Sequence, residues 1–353
     1  MKLTENRKLT ENRKVWVVGF VLVGFFVFGS LMVYAGKESF FEKSLHFTGE
    51  GMRYCYERED GLMSITGIPY KDLDCKNCHV QSCDPCHAEQ KGKRSFYTNA
   101  KAKDAKTCLK CHGREGLSFK FGEKTGTLDV HVAKGMACAD CHKGEDVHGD
   151  GNFYQSMRAP EALKVACVTC HTVDTKIEAH TVHGDKVDCA ACHVSNTVAC
   201  MNCHFDTFLK TGSRKGTFFP MQSWLLLINH EGKVTSGTAM SIVSKNKKFV
   251  VYAPYYTHAI QKKGRVCGDC HANAAMKLIQ KGESIPMMVF RDGKVENWSG
   301  VVPTVQEKLR WVYLNKEGDK WVPIKGEEPE KVQWWYGKPL TGEQIQKLAE
   351  SYH

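Results

Sequence analysis

Hydrophobic residues are distributed unevenly along this chain. Val15 to Tyr34 runs without a charged side chain, and about twenty such residues are what one helix needs to cross a bilayer. Lys2 to Lys14 precedes it as a doubled KLTENR hexapeptide followed by Lys14. That basic stretch places the N-terminus on the cytoplasmic side and everything after Lys37 outside the inner membrane. Val33-Tyr34-Ala35 also resembles a small-residue cleavage site, the competing reading, but the apolar run exceeds an ordinary signal-peptide core. From 205 onward the pattern alternates. Leu225–Ile228 and Lys233–Val234 flank Asn229-His230-Glu231-Gly232, and Phe249–Tyr252 follows Lys245–Lys248. Met288–Phe290 and Lys294–Val295 flank Asp292-Gly293, and Trp311–Leu314 and Lys320–Ile324 flank Asn315–Asp319. Each predicts a hairpin. Thr341-Gly-Glu-Gln344 predicts a capping box before a short helix reaching Ser351.

Between these zones periodicity is weak, and another pattern replaces it. Cys-x-x-Cys-His occurs eight times, at Cys75, Cys78 and His79; Cys83, Cys86 and His87; Cys108, Cys111 and His112; Cys138, Cys141 and His142; Cys167, Cys170 and His171; Cys189, Cys192 and His193; Cys200, Cys203 and His204; and Cys267, Cys270 and His271. These motifs hold sixteen of the 17 cysteines; Cys55 is left over as a buried or incidental thiol. Chance gives about 0.04 copies in a chain of this composition. Zinc sites would need the pairs to combine in fours, and redox dithiols need no histidine after the second cysteine. A disulfide framework does not predict the local pattern either. The pentapeptide is the attachment site of a c-type haem: both thiols form thioethers with the vinyl groups, and the histidine reaches the iron. The expectation is eight covalent haems c.

Seven motifs crowd into roughly 130 residues, about 19 per haem, too little polypeptide for an ordinary apolar core. The expected fold is therefore a mainly irregular and α-helical multihaem array with little regular secondary structure, one N-terminal transmembrane helix and a small β-rich C-terminal unit. Its zones are a cytoplasmic tail (1–14), the anchor (15–35), a juxtamembrane segment (36–74), a heptahaem array (75–204) and the β-rich unit carrying haem eight (205–353). The formal charge of +10 does not point to nucleic acid. Eight haems bring about −16 in propionates and about +8 in ferric iron, leaving a holoprotein near +2.

Eight histidines lie outside the motifs. His131 precedes Cys138, His148 follows His142, His180 and His183 form a His-x-x-His before Cys189, His258 precedes Cys267, and His46 stands before a glycine-rich segment. These six are the candidate distal ligands, since two imidazoles on a low-spin iron suit electron transfer. His230 reads as a turn residue and His353 as the chain's last residue. No convergent acid, base or nucleophile is recognisable, so no catalytic residue is assigned.

The short-spaced motifs and His180-Thr-Val-His183 resemble the cytochrome c3-like multihaem cytochromes, over roughly residues 46–271. The motif count and the His258-Ala-Ile…Cys267-Gly-Asp-Cys-His ending also resemble octahaem reductases of sulfur or nitrogen oxyanions. The leading expectation is a membrane-anchored, extracytoplasmic octahaem cytochrome, an electron-transfer protein rather than a stand-alone enzyme. It would relay electrons from a quinol-oxidising or dehydrogenase membrane complex to a redox acceptor protein, alone or as a subunit of a larger redox complex. The alternative is an octahaem oxidoreductase reducing such oxyanions at one open-coordinated haem.

Overall fold

The computed structural model describes residues 40–73, 80–212, 218–305, 307–318 and 320–351. Its backbone is organised by one seven-stranded sheet. Strands Phe219–His230, Lys233–Ser244 and Lys247–Pro254 form an antiparallel meander. Gly300–Pro303 adds in parallel to the first of them and Lys331–Trp334 in parallel to the third. Thr197–Met201 pairs antiparallel with the first half of Phe219–His230, and Cys203–His204 lies parallel to Lys233–Ser244.

Local chemistry sets the meander's register. Glu231 and Gly232 close the first hairpin at φ 51° and 87°, and Lys245 and Asn246 close the second at 50° and 64°. Both central residues left-handed is the two-residue turn whose twist matches paired strands. Asp292-Gly293 closes the separate hairpin Met288–Arg291/Lys294–Asn297 in the same way. The hairpins expected from the alternation are therefore present, and Leu314–Glu317 pairs with Lys320–Pro323.

Both faces of the sheet are buried, and alternation along one strand shows it. Trp224, Leu226 and Ile228 pack with Trp311, Tyr313 and Tyr252. Leu225 and Leu227 turn the other way, against Ala190, Ala191, Met276, Leu340 and Leu348. A third cluster seats Tyr56, Leu62, Ile65, Tyr70 and Leu73 on Ile242, Phe249 and Val251. The sheet is thus a platform: motif Cys189–His193 and the C-terminal helix Gly342–Ala349 lie on one face. The capping box is formed, with Thr341 Oγ1 accepting from Gln344 N and Gln344 Oε1 from Thr341 N.

Two parts of the expected fold class need correction. Little regular secondary structure was the wrong inference from the few residues available per haem. The sheet carries an extensive apolar core, and most of the described motifs are themselves helical turns. The histidine N–H donates to the carbonyl of the first cysteine at His87, His112, His142, His171 and His271, over 2.8 to 3.0 Å. A five-residue motif closes its own turn without needing an amphipathic period. The expected transmembrane helix has no counterpart in the fold as described: among the described residues no helix is long and apolar enough to cross a membrane. Residues 15–35, on which that expectation rested, lie outside the described residues.

Candidate functional site

Short helices bring histidines together in twos. The ring of His46 lies 6.1 Å from that of His112, centroid to centroid. His87 and His148 are 6.0 Å apart, and His131 and His171 5.9 Å. His142 and His258 are 6.3 Å apart, His180 and His193 6.3 Å, and His183 and His271 6.2 Å. Every pair joins one motif histidine to one of the six histidines singled out outside the motifs. Among the described residues no three His, Cys, Asp or Glu side chains converge as ligands of a discrete ion.

That spacing is a test of fit for haem. With metal–imidazole bonds of about 2 Å and each ring centre about 1.1 Å behind its nitrogen, trans imidazoles sit about 6.3 Å apart. All six pairs fall within half an ångström of that value. Several of the rings are also held through Nδ1. Nδ1 meets a backbone carbonyl in His46 (Val147, 3.0 Å), His87 (Thr98, 3.3 Å), His180 (Asp174, 2.9 Å), His183 (Ala179, 2.8 Å), His193 (Gln261, 3.0 Å) and His271 (Lys347, 3.0 Å). A carbonyl accepts only, so the proton stays on Nδ1 and Nε2 keeps its lone pair for a metal. Burial lowers the pKa of His46, His148 and His258 below the usual 6.5, which favours the neutral imidazole that ligation needs.

Two carboxylates that sequence reading missed complete this shell. Asp129 is buried; its Oδ1 caps the helix Val130–Ala133 by accepting from His131 N (2.9 Å) and lies 3.2 Å from His131 Nδ1. Its Oδ2 accepts from Ile260 N (3.0 Å), tying the segment that bears His258 to the one that bears His131. Asp146 Oδ2 lies 3.4 Å from His142 Nδ1. The signal was present only as an Asp two residues before, or four after, a histidine, a spacing too common to single out.

The apolar surface fits as well. Some of the large hydrophobic side chains left exposed lie at the motifs and their partners: Val168 inside Cys167–His171, Val182 between His180 and His183, and Val266 beside Cys267. Such side chains stay in water unless a porphyrin covers them. When bound, haem supplies a one-electron couple at each iron.

The motif Cys200–His204 is built differently. Its cysteines lie at strand ends, while Met201 and Asn202 between them are fully buried. Asn202, at φ 52°, donates from Nδ2 to Val312 O (2.8 Å) and accepts from Leu314 N (3.1 Å). Both nitrogens of His204 are engaged, Nδ1 by Thr207 Oγ1 and Nε2 by Asn315 Oδ1, each at 2.7 Å. Asn315 Nδ2 donates to Asn246, which leaves Oδ1 to accept the Nε2 proton. The nitrogen that would bind iron therefore carries hydrogen, and no second imidazole faces it among the described residues. This arrangement does not fit a haem. Cys75, Cys78, His79 and His353 lie outside the described residues. His230 ends its strand with Nδ1 2.6 Å from Tyr336 O and faces no other described histidine.

Comparison with known proteins agrees with this chemistry. A family profile described as cytochrome c7 and related cytochrome c matches residues 124–194. Among curated proteins, the chain is 24% identical over 169 residues to the dissimilatory sulfite reductase MccA of Wolinella succinogenes, covering 37% of this chain and 23% of that one. It is 25% identical over 190 residues to the multiheme cytochrome MtrA of Shewanella baltica, covering 47% of this chain and 56% of the other. The match thus spans about a quarter and just over half of those relatives' lengths. No solved structure is significantly similar. The repeated motifs, the paired imidazoles and these relatives together define a multihaem c-type cytochrome.

Proposed function

We propose that this cytochrome relays electrons by haem-to-haem transfer on the extracytoplasmic side, where haem is attached to Cys-x-x-Cys-His. It would connect a quinol-oxidising or dehydrogenase complex to a redox acceptor protein. The observation that carries the reading is the set of six imidazole pairs 5.9 to 6.3 Å apart. Two such fixed imidazoles would hold a haem iron from both sides, which would suit electron transfer and leave no place for a substrate atom. The chain's part is to hold most of these rings by their Nδ1 contacts and to bury His46, His148 and His258 so that they stay neutral.

Eight motifs set the upper bound on the haem count, and the chemistry of His204 argues against the seventh. Reduction of a sulfur or nitrogen oxyanion, the word sulfite in the name of one relative notwithstanding, requires an iron with an open position. None of the six paired sites offers one. The experiment is stopped-flow mixing of dithionite-reduced holoprotein with a soluble one-electron acceptor and, separately, with sulfite, nitrite or tetrathionate. Fast reoxidation by the first and none by the others supports the relay. Catalytic turnover of an oxyanion would replace it with the reductase.

A further inference from the structure

We propose that Arg158 anchors a haem: its guanidinium receives a propionate carboxylate of the haem held by His46 and His112 or of the one held by His142 and His258. The inference rests on reading the paired imidazoles as haem sites. It adds a cofactor contact that neither the motifs nor the histidines contain.

Arg158 is a charge without a counter-charge. Its guanidinium carbon stands 5.6 Å from the ring centroid of Tyr255 and 5.7 Å from that of Tyr256. The residue is partly buried. Among the described residues no carboxylate pairs with its guanidinium and no carbonyl or hydroxyl accepts from it; its backbone N–H alone is engaged, by Ser156 Oγ at 3.1 Å. Burial pulls its pKa down to about 10 from 12.5, so it is still protonated at neutral pH. A cation drawn out of water with its donors unmet is costly. The neighbours do not supply the missing anion. Arg114 approaches the same Tyr255 ring at 3.9 Å, but its donors are committed, Nε to Val198 O and Nη2 to Thr238 Oγ1, each at 2.7 Å. Glu115 Oε1 accepts from Tyr255 OH at 2.6 Å, and its Oε2 lies 4.0 Å from His112 Nδ1. Two guanidinium groups thus share one tyrosine ring with a single carboxylate, which leaves one positive charge in excess.

The position of Arg158 is that of a cofactor edge. Tyr255 and Tyr256 lead directly to His258, whose ring lies 6.1 Å from that of Phe119 on the helix Gly113–Thr125, and that helix starts just after His112. On the other side, Ser156 Cα and Met157 N lie 3.6 and 3.9 Å from the point where a Gly51 side chain would begin. Gly51 belongs to the helix Glu50–Glu57, which follows the helix Leu45–Thr48 that bears His46. Arg158 is therefore bracketed by elements that carry ligands of both pairs. The Tyr256 ring beside it is left exposed, a surface that a porphyrin would cover. Each haem carries two propionates, and the planar fork of a guanidinium matches a carboxylate through two parallel hydrogen bonds.

The test compares the holoprotein with its Arg158→Gln and Arg158→Lys variants, all matured with haem carrying carbon-13 at the propionate carboxylates. Infrared spectra should show one labelled carboxylate stretch moved by Arg158→Gln, and the same band moved less by Arg158→Lys. Lysine keeps the charge but not the flat group set against the two tyrosines, so it separates anchoring from packing. Spectroelectrochemical titration should show one haem with a lowered midpoint potential in Arg158→Gln, because a nearby cation favours the reduced iron. To tell the two sources apart, one iron is marked by His46→Met or by His258→Met, since a methionine ligand raises its potential above the others. A shift of the marked haem in the first background assigns the propionate to the His112 site, and in the second to the His142 site. The lysine variant decides alone if Arg158→Gln does not fold: the same single band should move, and no movement overturns the anchor. Unmoved labelled bands in Arg158→Gln, a lysine variant that matches the glutamine one, an equal shift of every haem, or a shift of a haem marked in neither background also overturns it, while leaving the relay intact. Haem missing from the peptides containing Cys108 and Cys138 overturns the haem reading beneath it.

Discussion

His180 and His183 sit one turn apart on a single short helix and face different partners, His193 at 6.3 Å and His271 at 6.2 Å. One His-x-x-His therefore serves two irons. His180→Ala and His183→Ala should each convert one low-spin haem to a high-spin form, and the double variant should convert two. Quantified ferric EPR of the three proteins checks this. A single variant that opens both sites, or neither, contradicts the assignment.

Asp129 is buried against His131, so its charge bears on one site in particular. A carboxylate near Nδ1 increases the ligand's basicity and stabilises the ferric state. Asp129→Asn should raise the midpoint potential of the haem held by His131 more than that of any other, measured by spectroelectrochemical titration. A uniform shift of every haem would instead mean that the substitution had loosened the fold. Loss of stability should accompany it, because Asp129 also caps the helix Val130–Ala133 and holds Ile260 N; removing a cap alone costs about 1 kcal/mol.

The motifs, the hairpins and the six interspersed histidines were all legible in the sequence, because each rests on local chemistry. Which histidine meets which was not. His131 lies just before Cys138 in sequence yet faces His171, His258 lies before Cys267 yet faces His142, and His148 follows His142 yet faces His87. Proximity along the chain marks a histidine as belonging to the array, but its partner is set by how the short helices stack, which no local signal encodes. The strand setting of the seventh motif was hidden for a related reason. Its five letters match the others, but Thr197–Met201 pairs with Phe219–His230 and draws the pentapeptide into strands, where the helical turn of the other motifs cannot form.

Peptide mapping of the holoprotein should accordingly find haem on the peptides containing Cys83, Cys108, Cys138, Cys167, Cys189 and Cys267, and none on that containing Cys200 and Cys203. Haem mass on the Cys200–Cys203 peptide would show that the sheet edge opens during maturation and that His204 gives up its bond to Asn315.

Cys55 is the cysteine outside every motif, and its Sγ donates to Gln333 Oε1 at 3.1 Å. Burial pushes its pKa up to about 12 from the usual 9.0. The thiolate is the reactive form, so iodoacetamide should leave Cys55 unmodified in the native protein at pH 8 and label it after denaturation. Because the folded thiol keeps a proton that the unfolded thiol releases, stability should fall as pH rises from about 9 toward 12. Cys55→Ala should remove that part of the alkaline loss in a denaturation series. Rapid native labelling at pH 8 would contradict the burial.

The paired imidazoles bear the whole account, and the most direct measurement of them is quantified EPR of the fully oxidised holoprotein, referenced to its pyridine-haemochrome haem content. At least six low-spin ferric haems with two nitrogen ligands are expected, none of which binds cyanide or nitrite. Fewer than six such low-spin haems, or cyanide binding at any of the six paired sites, would contradict that reading.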